Sequence, residues 1–302
     1  MKALGSALIR CDSSIQSPLE ILNDCWKTLN NLEEISDYLP CVALWIEFVA
    51  IHFQPKEINK LLGGIIKRIQ GTGDRLYDAN GDIEVMVSRL IKLAKQGVLQ
   101  LLRMQNFLPL MSMFTNEEKK ITTSKEAVQN FMEEDSMIED QITIDVVTNI
   151  STTLANSVTS LTSTDEGRQV SELLNHVISK CSFLPNMQKH LSFLTEKRAA
   201  FSHLDLVQVA LVQQVNKMAG IMDNQEEKAF MQALAAYSYI TIPSLRSSKS
   251  KMNLYLETAQ ICLRNGCLGQ AEACLRGIIN LLGQGKANKV NDFFNLYIFY
   301  LL

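Results

Sequence analysis

Helix-start signals recur along this chain roughly every 40 residues, with few breakers between them, and that spacing is the strongest constraint on its fold. Ser17-Pro18-Leu19-Glu20 has the form of a capping box with proline at the first helical position, and it predicts a helix to about Leu32. "LPCVALWIEFVAIHF" (Leu39–Phe53) places Trp45, Phe48, Val49 and His52 on one face with Glu47 as its only acid or base besides His52. A helix so apolar must be covered on several sides. Pro55 opens a third helix ending near Gly71, and the polar "GTGDRLYDANGD" leads into a fourth, expected from Ile83 to about Met104. Further pairs resemble a cap and its return partner: Thr115 with Glu118, Ser163 with Glu166, Ser202 with Asp205, and Asp223 with Glu226.

"FLPLMSMF" (Phe107–Phe114) reads as a short linking helix, and the acidic "MEEDSMIED" (Met132–Asp140) as a turn. In "STTLANSVTSLTSTDEG" the helical spacing runs to Leu161, which places the break at Thr162–Asp165. No pair of hairpin strands is apparent. The resulting expectation is an all-α chain, an α-solenoid of HEAT/armadillo-like helical hairpins rather than a compact bundle.

"AYSYITIPSL" (Ala236–Leu245) is the one stretch that looks like a strand. Ile240, Thr241 and Ile242 cost a helix at most about 0.7 kcal/mol each, whereas burying an isoleucine returns about 1.5 to 3 kcal/mol. Pro243 disfavours helical geometry at Ile242 and removes a donor, so the stretch is expected to be a helix end joining two hairpins. The hairpin that follows, Lys251–Leu282, is the best patterned in the chain. Met252, Tyr255, Leu256, Ala259, Cys262 and Leu263 form one stripe; Leu268, Ala271, Leu275, Ile278 and Leu282 form the facing one. Asn265 and Gly266 suit a left-handed helix end, and Ala259 and Ala271 suit close helix approach.

Charge and motifs argue against several functions. The net charge is −3 and the 29 Lys and Arg are scattered, so no basic stripe exists to neutralise a run of phosphates and nucleic acid is not an expected partner. The seven cysteines lack regular spacing and sit mostly in apolar helical stretches, as reduced core thiols do in a cytosolic protein. His52, His176, His190 and His203 make no i, i+3 or i+4 ligand pair, and Cys262 with Cys267 lacks a completing histidine, so neither a metal nor another cofactor is expected. No G-x-S-x-G elbow or phosphate loop occurs; "GQGK" at Gly283 and "GTGD" at Gly71 read as turns. The start, "MKALGSALIRCD", is interrupted by Arg10 and resembles neither a secretory signal nor a span. The uncharged end of "NDFFNLYIFYLL" would rise roughly 15 Å as a helix, half a bilayer core, so no transmembrane segment is expected.

"ITIPSL" followed by "LYLETAQICLRNGCLGQA" resembles the vacuolar protein sorting 35-like family, which supplies the large solenoid subunit of the Retriever complex. "CVALWIEFVAIHF", "EINKLLGGIIKRI", "NFLPLMSMF" and "LSFLTEKRAAFSHLDLVQVALVQQVN" resemble successive helices of that family in the same order, covering Leu19 to Leu282. The resemblance implies a non-enzymatic scaffold, cytoplasmic and peripheral on endosomes, that recycles membrane proteins to the cell surface. It implies an arrestin-like subunit bound through a region N-terminal to this chain, and a metallophosphoesterase-fold subunit cradled by the C-terminal half. Coiled-coil and COMM-domain proteins of the Commander complex and a sorting-nexin cargo adaptor are the further implied partners. Residues 1–282 are then a solenoid segment incomplete at both ends, and 283–302 a non-family tail where more hairpins are expected. The retromer large subunit, another helical-repeat adaptor or coat protein, and an enzyme with an unrecognised thiol or histidine site are the alternatives. Tyr239, Leu245, Arg246, Lys249 and Asn253 are the candidate partner surface, a basic turn beside aromatic residues; the competing reading has the tyrosines filling a groove between hairpins.

Overall fold

A computed structural model of the chain describes residues 17–71, 80–94, 97–222 and 228–284. Among these residues there are fourteen helices and no β-strand, so the all-α expectation holds. The chain divides into two compact units, Met1–Thr159 and Ser160–Leu302.

The first unit contains α1 (Pro18–Asn30), α2 (Ile35–His52), α3 (Pro55–Gln70), α4 (Asn80–Leu93), α5 (Val98–Leu102), α6 (Phe107–Ser112), α7 (Glu117–Met132) and α8 (Gln141–Ser157). Here α2, α4 and α7 pack in succession as one layer, while α3, the short pair α5 and α6, and α8 form the other. Three hairpins result, in which two short helices take the place of one. The core is built on α2, where Trp45, Ile46, Phe48 and Val49 are fully buried. This helix is the one described segment long and apolar enough to cross a membrane, yet over half of it is buried inside the unit. Arg89 of α4 donates to its Ala43 carbonyl at 2.9 Å and pairs with Glu47 at 3.5 Å. An apolar helix covered on several sides is what its composition requires.

The second unit contains α9 (Thr164–Lys180), α10 (Met187–Ala200), α11 (Asp205–Ile221), α12 (Lys228–Thr241), α13 (Ser248–Arg264) and α14 (Leu268–Gln284). The layers are again alternate helices, α9–α11–α13 and α10–α12–α14, so this unit is three side-by-side hairpins with the repeat geometry of an α-solenoid. Asn216 of α11 sits at the junction of three helices. Its side-chain oxygen accepts from Ser238 of α12 and from Thr258 of α13, both at 3.1 Å.

Several boundaries differ from the sequence expectations for identifiable reasons. The second helix begins at Ile35, not Leu39, with Pro40 inside it. The expected single helix from Ile83 to Met104 is interrupted before Val98, with Gly97 at the new N-cap. Apolar residues continue in register across that break, so periodicity cannot reveal it; a glycine that costs a helix about 1 kcal/mol is the only local cue. The helix expected to reach Leu161 ends at Ser157, and Leu161 lies outside it and exposed. Among the caps, Ser163 accepts from the Glu166 amide at 3.2 Å as expected. Ser17 makes no such bond, Asn116 replaces Thr115 as the cap of α7, and Leu204 occupies the cap position of α11. Asp205 cannot serve the expected box because its carboxylate accepts the Arg246 amide at 2.7 Å instead. The Asp223–Glu226 pair, Cys11, most of the loop after Gly71 and the segment after Gln284 lie outside the described residues.

Candidate functional site

"AYSYITIPSL" is a helix end, as the position of Pro243 implies. Helix α12 runs through Thr241 and closes in a 3-10 turn, Ile242–Ser244. Ile242 is fully buried, but Ile240 is 63% exposed, so only one of the two isoleucines gains the burial expected to hold the segment helical. The Thr241 hydroxyl donates back to the Tyr237 carbonyl at 2.6 Å, and the buried Tyr237 hydroxyl donates to the Leu194 carbonyl at 3.1 Å. Burial raises the Tyr237 phenol well above its ordinary range, outweighing the Arg198 guanidinium beside it. Tyr237 is therefore a neutral structural pin.

Beside this joint, α12, α13 and α14 enclose a groove of about 720 Å³. Tyr239 forms one wall and Tyr255 lies beneath, their rings 6.2 Å apart and tilted at 54°. Along α14, Gly269, Ala273 and Gly277 line it at four-residue spacing, with the side chains of Glu272 and Arg276 beside them. The approach is tight at Gly277, where a Cβ would lie 2.9 Å from Cζ of Tyr255. Lys251 stands at the rim, and Arg276 is tied to Glu272 one turn earlier, at 2.6 Å.

The α13–α14 turn that shapes the groove is a Schellman motif. Gly266 has φ +68°; its amide donates to the Leu263 carbonyl at 3.1 Å and the Cys267 amide to the Cys262 carbonyl at 2.8 Å. Asn265, expected to share the left-handed conformation, has φ −93°. Its amide group instead donates to the Ile261 carbonyl at 2.9 Å. The facing stripe of α14 also differs from expectation. Cys267, Ala271, Cys274 and Ile278 are buried, whereas Leu268 (68%), Leu275 and Ile279 are exposed. Small side chains meet α13 at close range, and at 100° per residue the leucines next in sequence fall on another face. Burial pushes the Cys262 thiol up to about 11 and Cys274 up to about 12, so both stay protonated at neutral pH and offer no thiolate nucleophile.

Of the five candidate surface residues, Tyr239 is 44% exposed on the groove wall. Arg246, Lys249 and Asn253 are exposed on the turn and first turns of α13. Leu245 corrects the set: at 2% exposure it is a core residue, anchored where the 3-10 turn ends. Sequence reasoning missed Tyr255, Gly269, Ala273, Gly277 and Arg276. The signal was available in the Gly-x-x-x-Ala-x-x-x-Gly spacing, a small-residue face on a helix otherwise rich in leucine.

Paired helices, a buried polar junction and a groove bounded by tyrosines and small residues define a protein built from helical hairpins. The chain belongs to the VPS35L C-terminal domain family, whose model matches residues 1–290. It is 33% identical over 289 residues to the VPS35 endosomal protein-sorting factor-like protein of Danio rerio, and 32% identical over 290 residues to that of Homo sapiens. Each alignment covers 93% of this chain and 30% of the relative. The counterpart in Dictyostelium discoideum is 32% identical over 273 residues, 87% of this chain and 27% of the relative. The chain thus spans about a third of the length of the relatives it matches.

Proposed function

We propose that the chain is the solenoid segment of a non-enzymatic scaffold subunit in a Retriever-type complex, working peripherally on endosomes to return membrane proteins to the cell surface. The observation that supports this reading is the collinear family match over 93% of the chain to proteins named as endosomal sorting factors. Side-by-side hairpins suit such a role physically, because each presents exposed residues while its partner face is buried. In this reading the described helices form a HEAT/armadillo-like array. A metallophosphoesterase-fold subunit is cradled by the C-terminal half of the whole protein. An arrestin-like subunit, coiled-coil and COMM-domain proteins and a sorting-nexin adaptor complete the assembly.

The test is co-purification of the protein extended to the full length of its relatives with the phosphoesterase-fold subunit, together with recycling of a surface receptor in cells lacking the protein. Stable co-elution and a recycling defect rescued by the full-length protein are expected. Absence of both would overturn the reading.

A further inference from the structure

We propose that the outer apolar stripe of α14 is the docking face of the chain's own residues 291–302, which fold back along it as an antiparallel helix and close the array. This closure is independent of the endosomal role.

The stripe is a patch, not scattered exposure. Leu268, Leu275 and Ile279 are all exposed. At 100° per residue they fall within about 40° of one another around α14, with the half-buried Leu282 beside them. The buried Ala271, Cys274 and Ile278 lie to one side of the stripe, and the groove residues Gly269, Ala273 and Gly277 to the other. Single exposed aliphatic residues are ordinary, whereas several on one helix face mark a surface that another element covers.

The sequence directly after α14 carries the matching pattern. Phe293, Leu296, Tyr297, Tyr300 and Leu301 recur at i, i+3, i+4, i+7 and i+8, and no charge follows Asp292. Asp292 precedes that pattern, where an acid complements a helix N-terminus. As a helix, residues 291–302 measure about 18 Å, against about 16 Å from Leu268 to Ile279. The connection from Gly285 to Val290 falls within the span of about 2 to 8 residues that joins antiparallel helices. So short a link brings the segment in beside Leu282 and sends it back towards Leu268.

Other occupants fit less well. The stripe is about 16 Å long and one helix, about 10 Å, wide, so a second copy meeting it stripe on stripe buries roughly 160 Å² per partner, against roughly 800 Å² for a stable interface. A segment tethered by a short linker is instead present at an effective concentration of about millimolar. A helix spanning a bilayer takes about 20 apolar residues, and only Phe293 to Leu302 follow Asp292 here.

Hydrogen exchange read by mass spectrometry on the full chain tests this. The amides of residues 293–302 are expected to exchange at least about tenfold more slowly than their intrinsic chemical rates. Ile279→Asp puts a charge on the stripe at a position already 63% exposed, so α14 should persist by far-UV circular dichroism while those amides return to intrinsic rates. Leu206→Asp, a charge at an exposed leucine of α11, should leave them protected. Should Ile279→Asp not fold, Leu296→Asp supplies the same test from the other side of the contact, with α14 unaltered. Unprotected amides in the parent chain overturn the proposal, as does protection that survives Ile279→Asp or Leu296→Asp. Protection that rises with protein concentration, alongside a dimer in sedimentation, overturns it in favour of a second copy. Protection found only with phosphatidylcholine vesicles overturns it in favour of a membrane.

Discussion

Arg68 on α3 holds down the end of α1, and its replacement should unfold the first unit at markedly lower denaturant. The guanidinium donates to the carbonyls of Leu29 and Asn30 at 3.3 and 3.4 Å and to that of Leu32, and it stacks over the Tyr38 ring at 3.9 Å. Helix ends leave carbonyls without intrahelical partners, and one fork meets two of them here, Leu29 and Asn30, together with the Leu32 carbonyl just beyond the helix. All three bonds share the guanidinium charge; the one to Leu32 is worth about 1.5 to 3 kcal/mol, and the two at the outer limit of hydrogen-bond distance contribute about 0.5 kcal/mol each. The stack adds about 0.5 to 1 kcal/mol. Water can reach the exposed Asn30 carbonyl in a variant, which returns part of the loss, so Arg68→Met should cost about 2 to 3 kcal/mol. Arg68→Lys keeps the charge but lacks the planar fork, and should lose more than half as much. Both tryptophans, Trp26 and Trp45, lie in this unit, so their emission during urea unfolding reports it alone. With a slope of about 2 kcal/mol per M, the midpoint should fall by roughly 1 M for the methionine variant. A lysine variant as stable as the parent would refute the fork argument, since charge alone would then suffice.

Three further outcomes follow from the second unit. Asn216→Leu should leave the buried hydroxyls of Ser238 and Thr258 without their acceptor and destabilise the unit by about 2 to 3 kcal/mol, read as faster amide exchange across α11–α13. Adding Ser238→Ala and Thr258→Val should restore most of it. Gly277→Val should cost about 1 to 3 kcal/mol by driving a side chain into the Tyr255 ring, and a double-mutant cycle with Tyr255→Ala should show strong coupling; additivity would mean the ring is free to move. Burial holds the His190 imidazole below its ordinary value of 6.5, so between the two values the unfolded chain binds a proton that the folded one does not. Its contribution is therefore complete above about pH 6.5 and is lost as pH falls below it. His190→Gln should flatten that slope in melting temperature between about pH 7 and 5.

Helix existence was legible because α3 and α9 carry amphipathic patterns with proline or serine at their starts, and the α13–α14 pair has apolar residues at helical spacing on both sides of the Asn265-Gly266 turn. The end of α12 was legible because proline acts locally. Burial register was less so: the exposure of Leu268 and Leu275 is decided by which face of α14 reaches α13 first, and the smaller Ala271 and Cys274 win because they permit closer approach. Leu245 was misassigned for a related reason. It is flanked by Ser244 and Arg246 and looks like a loop residue, but the 3-10 turn after Pro243 directs it inward. The groove itself depends on three helices, and only its small-residue spacing is written in any one of them.

The scarcity of glycine in this chain has a structural counterpart in how its helices end. Gly266 is the only glycine with positive φ among the described residues, so the left-handed cap that closes many helices is used here once. Side chains from neighbouring helices serve three of the other ends. Arg68 serves α1; Asn130 of α7 donates to Ile91 of α4 at 2.9 Å; Gln208 of α11 donates to Arg198 and Phe201 at the end of α10, both at 3.0 Å. An end capped by its neighbour is stable only once the two helices have packed, which ties the polar accounting of each helix to the helix beside it. That coupling makes a row of hairpins cooperative without a shared globular core, and it explains why helix ends were the features least readable from local sequence.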